Sequence, residues 1–338
     1  MKKYIVMLVI FILILSGCSK KEELDFENYY DLNTYKIFEP YQQSVSGNYI
    51  NYMISNNYDV DNIQSRLMDL SSKYFKTSNY YYQAGQYLDI NSIKELLNDI
   101  NPDYKVNIDG IEMIPKYITY IHEQNYLDKN GDLAGISIGL ALNKYQSYKN
   151  NYGATLYKEI SEEELVKYAK EKIKDVLSYL RNIDNLKDKR ILIGLYINAS
   201  PNSTLPGSYK YFGITSDNNI SFKAVDFSYH YLDSNNLTEK NVDVYNGFKA
   251  FQGQINLDNI YISGYGLFED NNLVNASITI TSDYLNRDKL IYLESIISKA
   301  LGNNFQMKSI ITVYIKVNNQ IVGMVKKDNN NQIFNYIL

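Results

Sequence analysis

The sequence predicts an α+β fold made of two structurally repeated units, each a mostly antiparallel sheet backed by helices. Three observations carry that reading. Several stretches alternate apolar and polar residues and are rich in β-branched side chains, as half-buried strands are. Others set apolar residues on one helical face. One order of elements, helix, strand, turn, strand, helix, strand, strand, also occurs twice, over residues 41–216 and 217–338, which speaks for duplication despite low residue identity between the halves.

The first unit opens with a helix-like segment, Val60 to Phe75. An extra segment, residues 77–107, follows with a tyrosine cluster and a short helix at Asn91 to Leu97. Pro115 to Tyr126 is strand-like, Asp128 to Asp132 is a turn, and Leu133 to Leu142 is an apolar strand containing glycines. Helix Glu162 to Leu180 starts at a capping box in which Ser161 caps and Glu164 reaches back. Leu165, Tyr168, Ala169, Ile173, Val176, Leu177 and Leu180 form its buried stripe. Lys189 to Asn198 and Tyr209 to Thr215 are a strand pair, joined by a long connection, Ala199 to Gly207, that two prolines stiffen.

The second unit begins past a boundary expected near Ser216 to Ser221. A helix-like segment, Asn241 to Gln252, precedes strands Asn259 to Leu267 and Leu273 to Thr281, with a turn at Glu269 to Asn272. The helix from Asn286 to Leu301 follows, with Gly302 placed to end it. Ile310 to Val317 and Gln320 to Lys326 form a hairpin across Asn318-Asn319, a pair tolerant of positive φ.

Composition excludes several function classes. The 338 residues suffice for two domains or one domain of two units. With 45% hydrophobic and 21% charged residues, the chain is not disordered wholesale. A net charge of -4 argues against nucleic acid, because phosphate binding needs a surplus of Lys and Arg. One Cys and two His exclude a disulfide framework and a cysteine-based metal cluster, and no metal or cofactor is expected. Trp is absent and Tyr numbers 35, which fits either an A/T-rich genome or tyrosines kept for a ligand surface.

The amino terminus has the most specific pattern. Met1-Lys2-Lys3 is a basic start, Tyr4 to Leu15 an unbroken apolar run, and Leu15-Ser16-Gly17-Cys18 a lipobox directly before the sole cysteine. The run is shorter than the ~20 residues a spanning helix needs. The expectation is a signal peptide over residues 1–17, cut between Gly17 and Cys18, and a diacylglyceryl thioether on the Cys18 sulfur. The partners implied are the membrane, a lipoprotein diacylglyceryl transferase and signal peptidase II. At roughly 0.8 kcal/mol per buried CH₂, two acyl chains hold a protein stably where one does not. Residues 18–40 then read as a lipidated tether on the extracellular face of the cell membrane, in a Gram-positive setting.

No catalytic constellation is expected in the remainder. Asp128-Lys129-Asn130-Gly131-Asp132 resembles the start of a calcium loop, but its glycine is out of place and no bidentate Glu closes it. His122 and His230 lack partners at catalytic spacing and read as structural. Glu162, Glu163 and Glu164 read as first-turn anions of a helix. Tyr80, Tyr81, Tyr82, Gln83, Gln86 and Tyr87 surround Gly85 and are the candidate ligand surface, for peptide or glycan; a hairpin with core tyrosines is the alternative. The 199–207 connection is either a lid or a plain loop.

At Lys73 to Asp89, at Gly135 to Asn143, at Leu177 to Arg181 and at Leu205-Pro206-Gly207, the chain resembles the CamS sex-pheromone lipoproteins of low-GC Gram-positive bacteria. The resemblance implies two repeats and a surface lipoprotein. It also implies that the discarded signal peptide is trimmed to a short hydrophobic mating signal. Here that peptide would be Ile10-Phe11-Ile12-Leu13-Ile14-Leu15-Ser16-Gly17, whose first four residues look like the family's pheromone and whose last four depart from its small-residue ending. The expected function is therefore a non-enzymatic, membrane-anchored lipoprotein, with an extracellular peptide- or glycan-binding module as the other reading.

Overall fold

A computed structural model describes residues 35–337 except Asp109 and Asn256. The leader, Cys18 and the proposed peptide Ile10–Gly17 lie outside the described residues. From Ile37 onward the chain forms one packed unit. Ile37 bridges to Tyr82 and the Phe38 ring packs edge-on to Tyr81, so the fold begins inside the stretch expected to be tether.

The elements in chain order are α1 (Ile50–Met53), α2 (Asn57–Ser72), β1 (Tyr81–Ala84), α3 (Ile90–Ile100), β2 (Val106–Ile108), β3 (Ile111–Met113), β4 (Ile118–Leu127) and β5 (Leu133–Leu142). Then come β6 (Tyr145–Lys149), β7 (Thr155–Glu159), α4 (Glu162–Arg181), β8 (Arg190–Ile197), β9 (Ser208–Thr215), β10 (Lys223–Ala224) and β11 (Phe227–Tyr231). The chain ends with α5 (Leu237–Lys240), α6 (Val242–Gln254), β12 (Ile260–Glu269), β13 (Asn272–Ser282), α7 (Arg287–Asn304), β14 (Ile310–Val317), β15 (Gln320–Lys327) and β16 (Ile333–Ile337). Two six-stranded sheets result, in the orders β1-β4-β5-β8-β9-β10 and β11-β12-β13-β14-β15-β16.

The two sheets share one plan. In each, an edge strand pairs antiparallel with a hairpin (β1 on β4–β5, β11 on β12–β13). A helix then carries the chain to a parallel neighbour, β8 beside β5 and β14 beside β13, because parallel strands need a crossover and cannot be joined by a tight turn. Antiparallel β9 and β15 follow, then short β10 and longer β16. Matching by connectivity, β1 and α3 correspond to β11 and α6. The segment 77–107 thus contains an integral strand and helix, and the long helix without a counterpart is α2, at the place expected to match Asn241 to Gln252. The change of sheet also falls later than expected, between Ala224 and Phe227, because β10 still pairs with β9.

Local sequence explains the element ends. Asn56, Asp89, Ser161 and Asn286 cap α2, α3, α4 and α7, each side chain accepting a backbone N–H from the first turn. Asp270-Asn271 and Asn318-Asn319 all take positive φ, the geometry of a two-residue hairpin matched to strand twist. The Asp128 turn recurs at Asp328: each Oδ1 accepts two N–H groups of its own loop, from Asn130 and Asp132 and from Asn330 and Gln332. Gly302 does not end α7, which runs to Asn304 and stops where buried Phe305 turns into the core.

The first sheet is covered on both faces, and β5 and β8 are accordingly buried along nearly their whole length. On one face α2 lies close because Gly139 leaves room: a Cβ there would stand 2.5 Å from the Tyr209 hydroxyl, which donates to the Ile63 carbonyl of α2. The other face takes α3 and α4, including buried Ile93, Leu96, Ile173 and Leu177. The second sheet is covered on one face only, by α6 and α7. Along β14 buried and half-buried residues alternate, with Ile311, Val313 and Ile315 inward. Phe227 and Leu267 of this sheet belong to the first core, which joins the two sheets.

A buried carboxylate fastens α2. Asp59 is fully buried, and its Oδ1 accepts from the Tyr196 hydroxyl at 2.7 Å and the Gly207 N–H at 2.6 Å, while Oδ2 accepts from the Ala199 N–H at 2.9 Å. Asn56 Nδ2 donates to the Ser200 and Ser203 carbonyls, and Asn62 Nδ2 to the Gly207 carbonyl. The 199–207 connection is therefore a fastened loop, not a lid. Burial raises the Asp59 pKa, against the three donors.

Two outcomes follow for stability. Asp59→Asn would turn an amide N–H toward the Ala199 N–H, leaving a buried donor unpaired; a loss of about 1–3 kcal/mol is expected, seen as a lower urea midpoint at unchanged slope. Burial lowers the His122 pKa from 6.5 to about 4 on β4, opposite Gly139. The sign is that of a depressed base: the unfolded chain takes up the proton first, so stability falls as pH drops from 6.5 toward 4. His122→Gln should remove that part of the acid sensitivity, on the order of 1–3 kcal/mol, in urea melts at pH 7 and pH 4.5.

Candidate functional site

The tyrosine cluster expected to be a ligand surface is mostly structural. Tyr82 is fully buried; its hydroxyl donates to the Phe75 carbonyl at 2.7 Å, and its ring meets Tyr126 edge-on. The Tyr80 hydroxyl accepts from Arg190, whose guanidinium lies 4.5 Å from the centre of the Phe75 ring. Gln83 is bonded to Gln42, and the Gln86 side chain donates to the Gln43 and Ala84 carbonyls. The backbone N–H groups of Gln86, Tyr87 and Leu88 converge on buried Glu123, and Gly85 is required there because a Cβ would lie 2.8 Å from the Glu123 Cβ. Spacing alone could not show this, since β1 is an edge strand whose Tyr82 points inward. His230 sits against Phe268 with Ser228 Oγ at 3.1 Å, and burial lowers its pKa.

A different constellation faces open space. Helix α2 buries Ile63, Leu67 and Leu70 and turns the opposite side, with Tyr58, Asp61, Ser65 and Arg66, toward the uncovered face of the second sheet. Between them lies a cleft of about 320 Å³, whose floor includes Tyr229, Tyr265, Ser277, Thr312 and Tyr314. That volume lies within the ~300–1,000 Å³ typical of ligand pockets.

Hydrogen bonds set the cleft's geometry. The Tyr229 hydroxyl donates to Asn62 Oδ1 at 2.6 Å, linking the second sheet to the Asp59 network through Asn62 and Tyr196. Tyr229 and Tyr265 stand with ring centres 6.3 Å apart. Arg66 is paired with Asp69 at 2.6 Å. Burial raises the pKa of both tyrosines; for Tyr229 the neighbouring Arg66 opposes the shift, and for Tyr265 the hydrogen bond with Ser277 does. Both hydroxyls are neutral and able to donate at physiological pH.

A larger hollow, about 880 Å³, runs along the first turns of α4. Its walls alternate Glu162, Glu163 and Glu171 with Lys167 and Lys170, and the Lys170 ammonium sits 3.7 Å from the centre of the Tyr211 ring. These are the solvated charges of a helix start rather than a convergent set. Among the described residues, no group of three or more His, Cys, Asp and Glu is placed to hold a metal, and no helix is long and apolar enough to cross a membrane.

Sequence reasoning missed the cleft, although a signal was present. Positions 58, 61, 65 and 66 are polar on the side of α2 opposite its apolar stripe. The outward positions of the strands include Tyr261, Ser263, Tyr265, Ser277, Thr279, Thr281, Thr312 and Tyr314, with Lys316 and Lys326 at the margin. That the two patterns face each other is tertiary information.

Among curated proteins, none matches this chain. The crystal structure of a sex pheromone precursor from Lactobacillus salivarius subsp. salivarius UCC118 superposes with a TM-score of 0.82 at 22% identity, covering 91% of this chain and 97% of that one. The C-terminal domain of the sex pheromone staph-cAM373 precursor from Staphylococcus aureus superposes with a TM-score of 0.75 at 24% identity, covering 84% and 98%. These likenesses show the fold, including its two sheets. Residues 41–332 match the family described as CamS sex pheromone cAM373 precursor. The chain belongs to the CamS sex pheromone cAM373 precursor family.

Proposed function

We propose that this protein is an extracellular lipoprotein, held to the cell membrane by a diacylglyceryl thioether on Cys18, whose excised leader is the source of a short hydrophobic signalling peptide. The single observation behind this reading is Leu15-Ser16-Gly17-Cys18, small residues placed directly before the only cysteine and after a basic start and an apolar run. The family's name as a pheromone precursor supports the peptide source, and Ile10–Gly17 is the segment that would supply it. Maturation would engage a diacylglyceryl transferase and signal peptidase II. The folded part acts by binding, not by catalysis. In support, three buried ionisable groups are occupied by structural partners: Asp59 and Glu123 by backbone donors, and Lys327 by the Met307 and Ser309 carbonyls and Asn331.

Cells grown with labelled palmitate should label this protein, and Cys18→Ala should remove the label; a labelled Cys18→Ala chain, or an unlabelled wild type, overturns the anchor. Globomycin should leave the lipidated precursor uncut. For the peptide, culture supernatant should provoke mating-type clumping of responsive cells, and deletion of residues 10–17 replaced by an equally long poly-leucine run should abolish it while export persists.

A further inference from the structure

We propose that the cleft between α2 and the uncovered face of the second sheet binds a neutral, hydroxyl-rich oligosaccharide, with its sugar rings against Tyr58, Tyr265 and Tyr314. This deepens the binding role given above to the folded part, and it rests on that reading and on the extracellular placement.

The backbone of the floor cannot do the recognising. β12 is paired on both sides by β11 and β13, β13 by β12 and β14, and β14 by β13 and β15, so their ladder N–H and C=O groups are already bonded within the sheet. A peptide added as a strand needs a free edge, and this site is a face. Side chains must therefore make the contacts, and those present are of two kinds. Tyrosines offer flat apolar rings with a polar tip, suited to a ligand that has one C–H face and a polar rim. Between the rings stand groups that both donate and accept, Ser65, Ser277 and Thr312, together with Asp61, which only accepts. A sugar ring has this same division, a patch of axial C–H bonds and a rim of hydroxyls.

The charges lining the cleft favour a neutral ligand. The one cation on the α2 wall, Arg66, is already neutralised by Asp69, and Asp61 is the carboxylate beside Tyr265. Among the residues that line the cleft no unpaired cation offsets Asp61 for an anionic ligand, Lys326 standing opposite Thr312 at its margin, and a neutral ligand would use the same carboxylate as an acceptor for paired hydroxyls. The cleft is also prebuilt: the bond from Tyr229 to Asn62 and the Asp59 network hold wall and floor together without a ligand, so little ordering is left to oppose binding.

The test is calorimetric titration of the full lipidated chain, in a detergent without a sugar headgroup, with chitotetraose, maltotetraose, galactotetraose and, as a peptide probe, tetra-alanine. One or more of the oligosaccharides should bind saturably. Tyr58→Ala and Tyr314→Ala should each weaken it about tenfold, the worth of one aromatic contact, and Asp61→Asn should also weaken it. Tyr104→Ala, exposed elsewhere on the surface, should bind as the wild type does, and superimposable thermal melts should show that the variants fold. The inference is overturned if none of the three oligosaccharides saturates, if tetra-alanine binds more tightly than any of them, or if the folded cleft variants bind undiminished. Loss of palmitate labelling would sink the anchor and not this result, while failed titrations would leave the anchor standing.

Discussion

A single buried carboxylate organises the middle of this molecule. Removing Asp59 from water costs several kcal/mol unless its oxygens are satisfied, and here they collect one hydroxyl and two backbone N–H groups from β8 and from both ends of the 199–207 connection. Those N–H groups would themselves be orphaned without it, because a loop has no ladder to absorb them. The mutual dependence fixes α2 against the first sheet and the loop against α2. Through Asn62 and Tyr229 it also fixes where the second sheet begins. Glu123 plays the equivalent part at the other edge, holding the turn into α3 with three successive backbone donors.

Against the duplicated plan, one asymmetry between the sheets is meaningful. Each sheet has a crossover helix and a second helix on the same face, and the first sheet alone also has α2 on the opposite face. The corresponding face of the second sheet is open apart from the end where Leu267 and Phe227 join the first core. A six-stranded sheet with a bare face ordinarily shows Lys and Glu there. Here the part of the bare face that lines the cleft shows Tyr, Ser and Thr and looks onto the polar side of α2, the long helix without a counterpart, so the cleft arises from the broken symmetry.

The same accounting separates structural polar groups from recognition groups. Lys327 is fully buried, yet its ammonium donates to two carbonyls and to Asn331, and burial lowers its pKa. Tyr82, Tyr126 and Tyr209 likewise spend their hydroxyls on Phe75, Ser137 and Ile63. Tyr58, about half exposed, lines the cleft instead. With 35 tyrosines, composition says nothing about which belong to which class; the class depends on whether a side chain meets a carbonyl or solvent.

By itself the sequence determined the local matters: the lipobox before Cys18, the cap at Ser161, the Asn-rich hairpin turns, the apolar stripe of α4 and the α+β class with its repeated order. These depend on neighbours within a few residues, where propensity and periodicity act. Only the tertiary structure decided that 77–107 is integral to the first sheet, that Tyr82 points inward, that 199–207 is fastened, and that α2 faces the open sheet. Each of these turns on partners more than 30 residues apart, such as Asp59 with Gly207 or Asn62 with Tyr229, separated by 148 and 167 positions. No periodicity within either segment encodes which distant donor will be there to satisfy a buried oxygen.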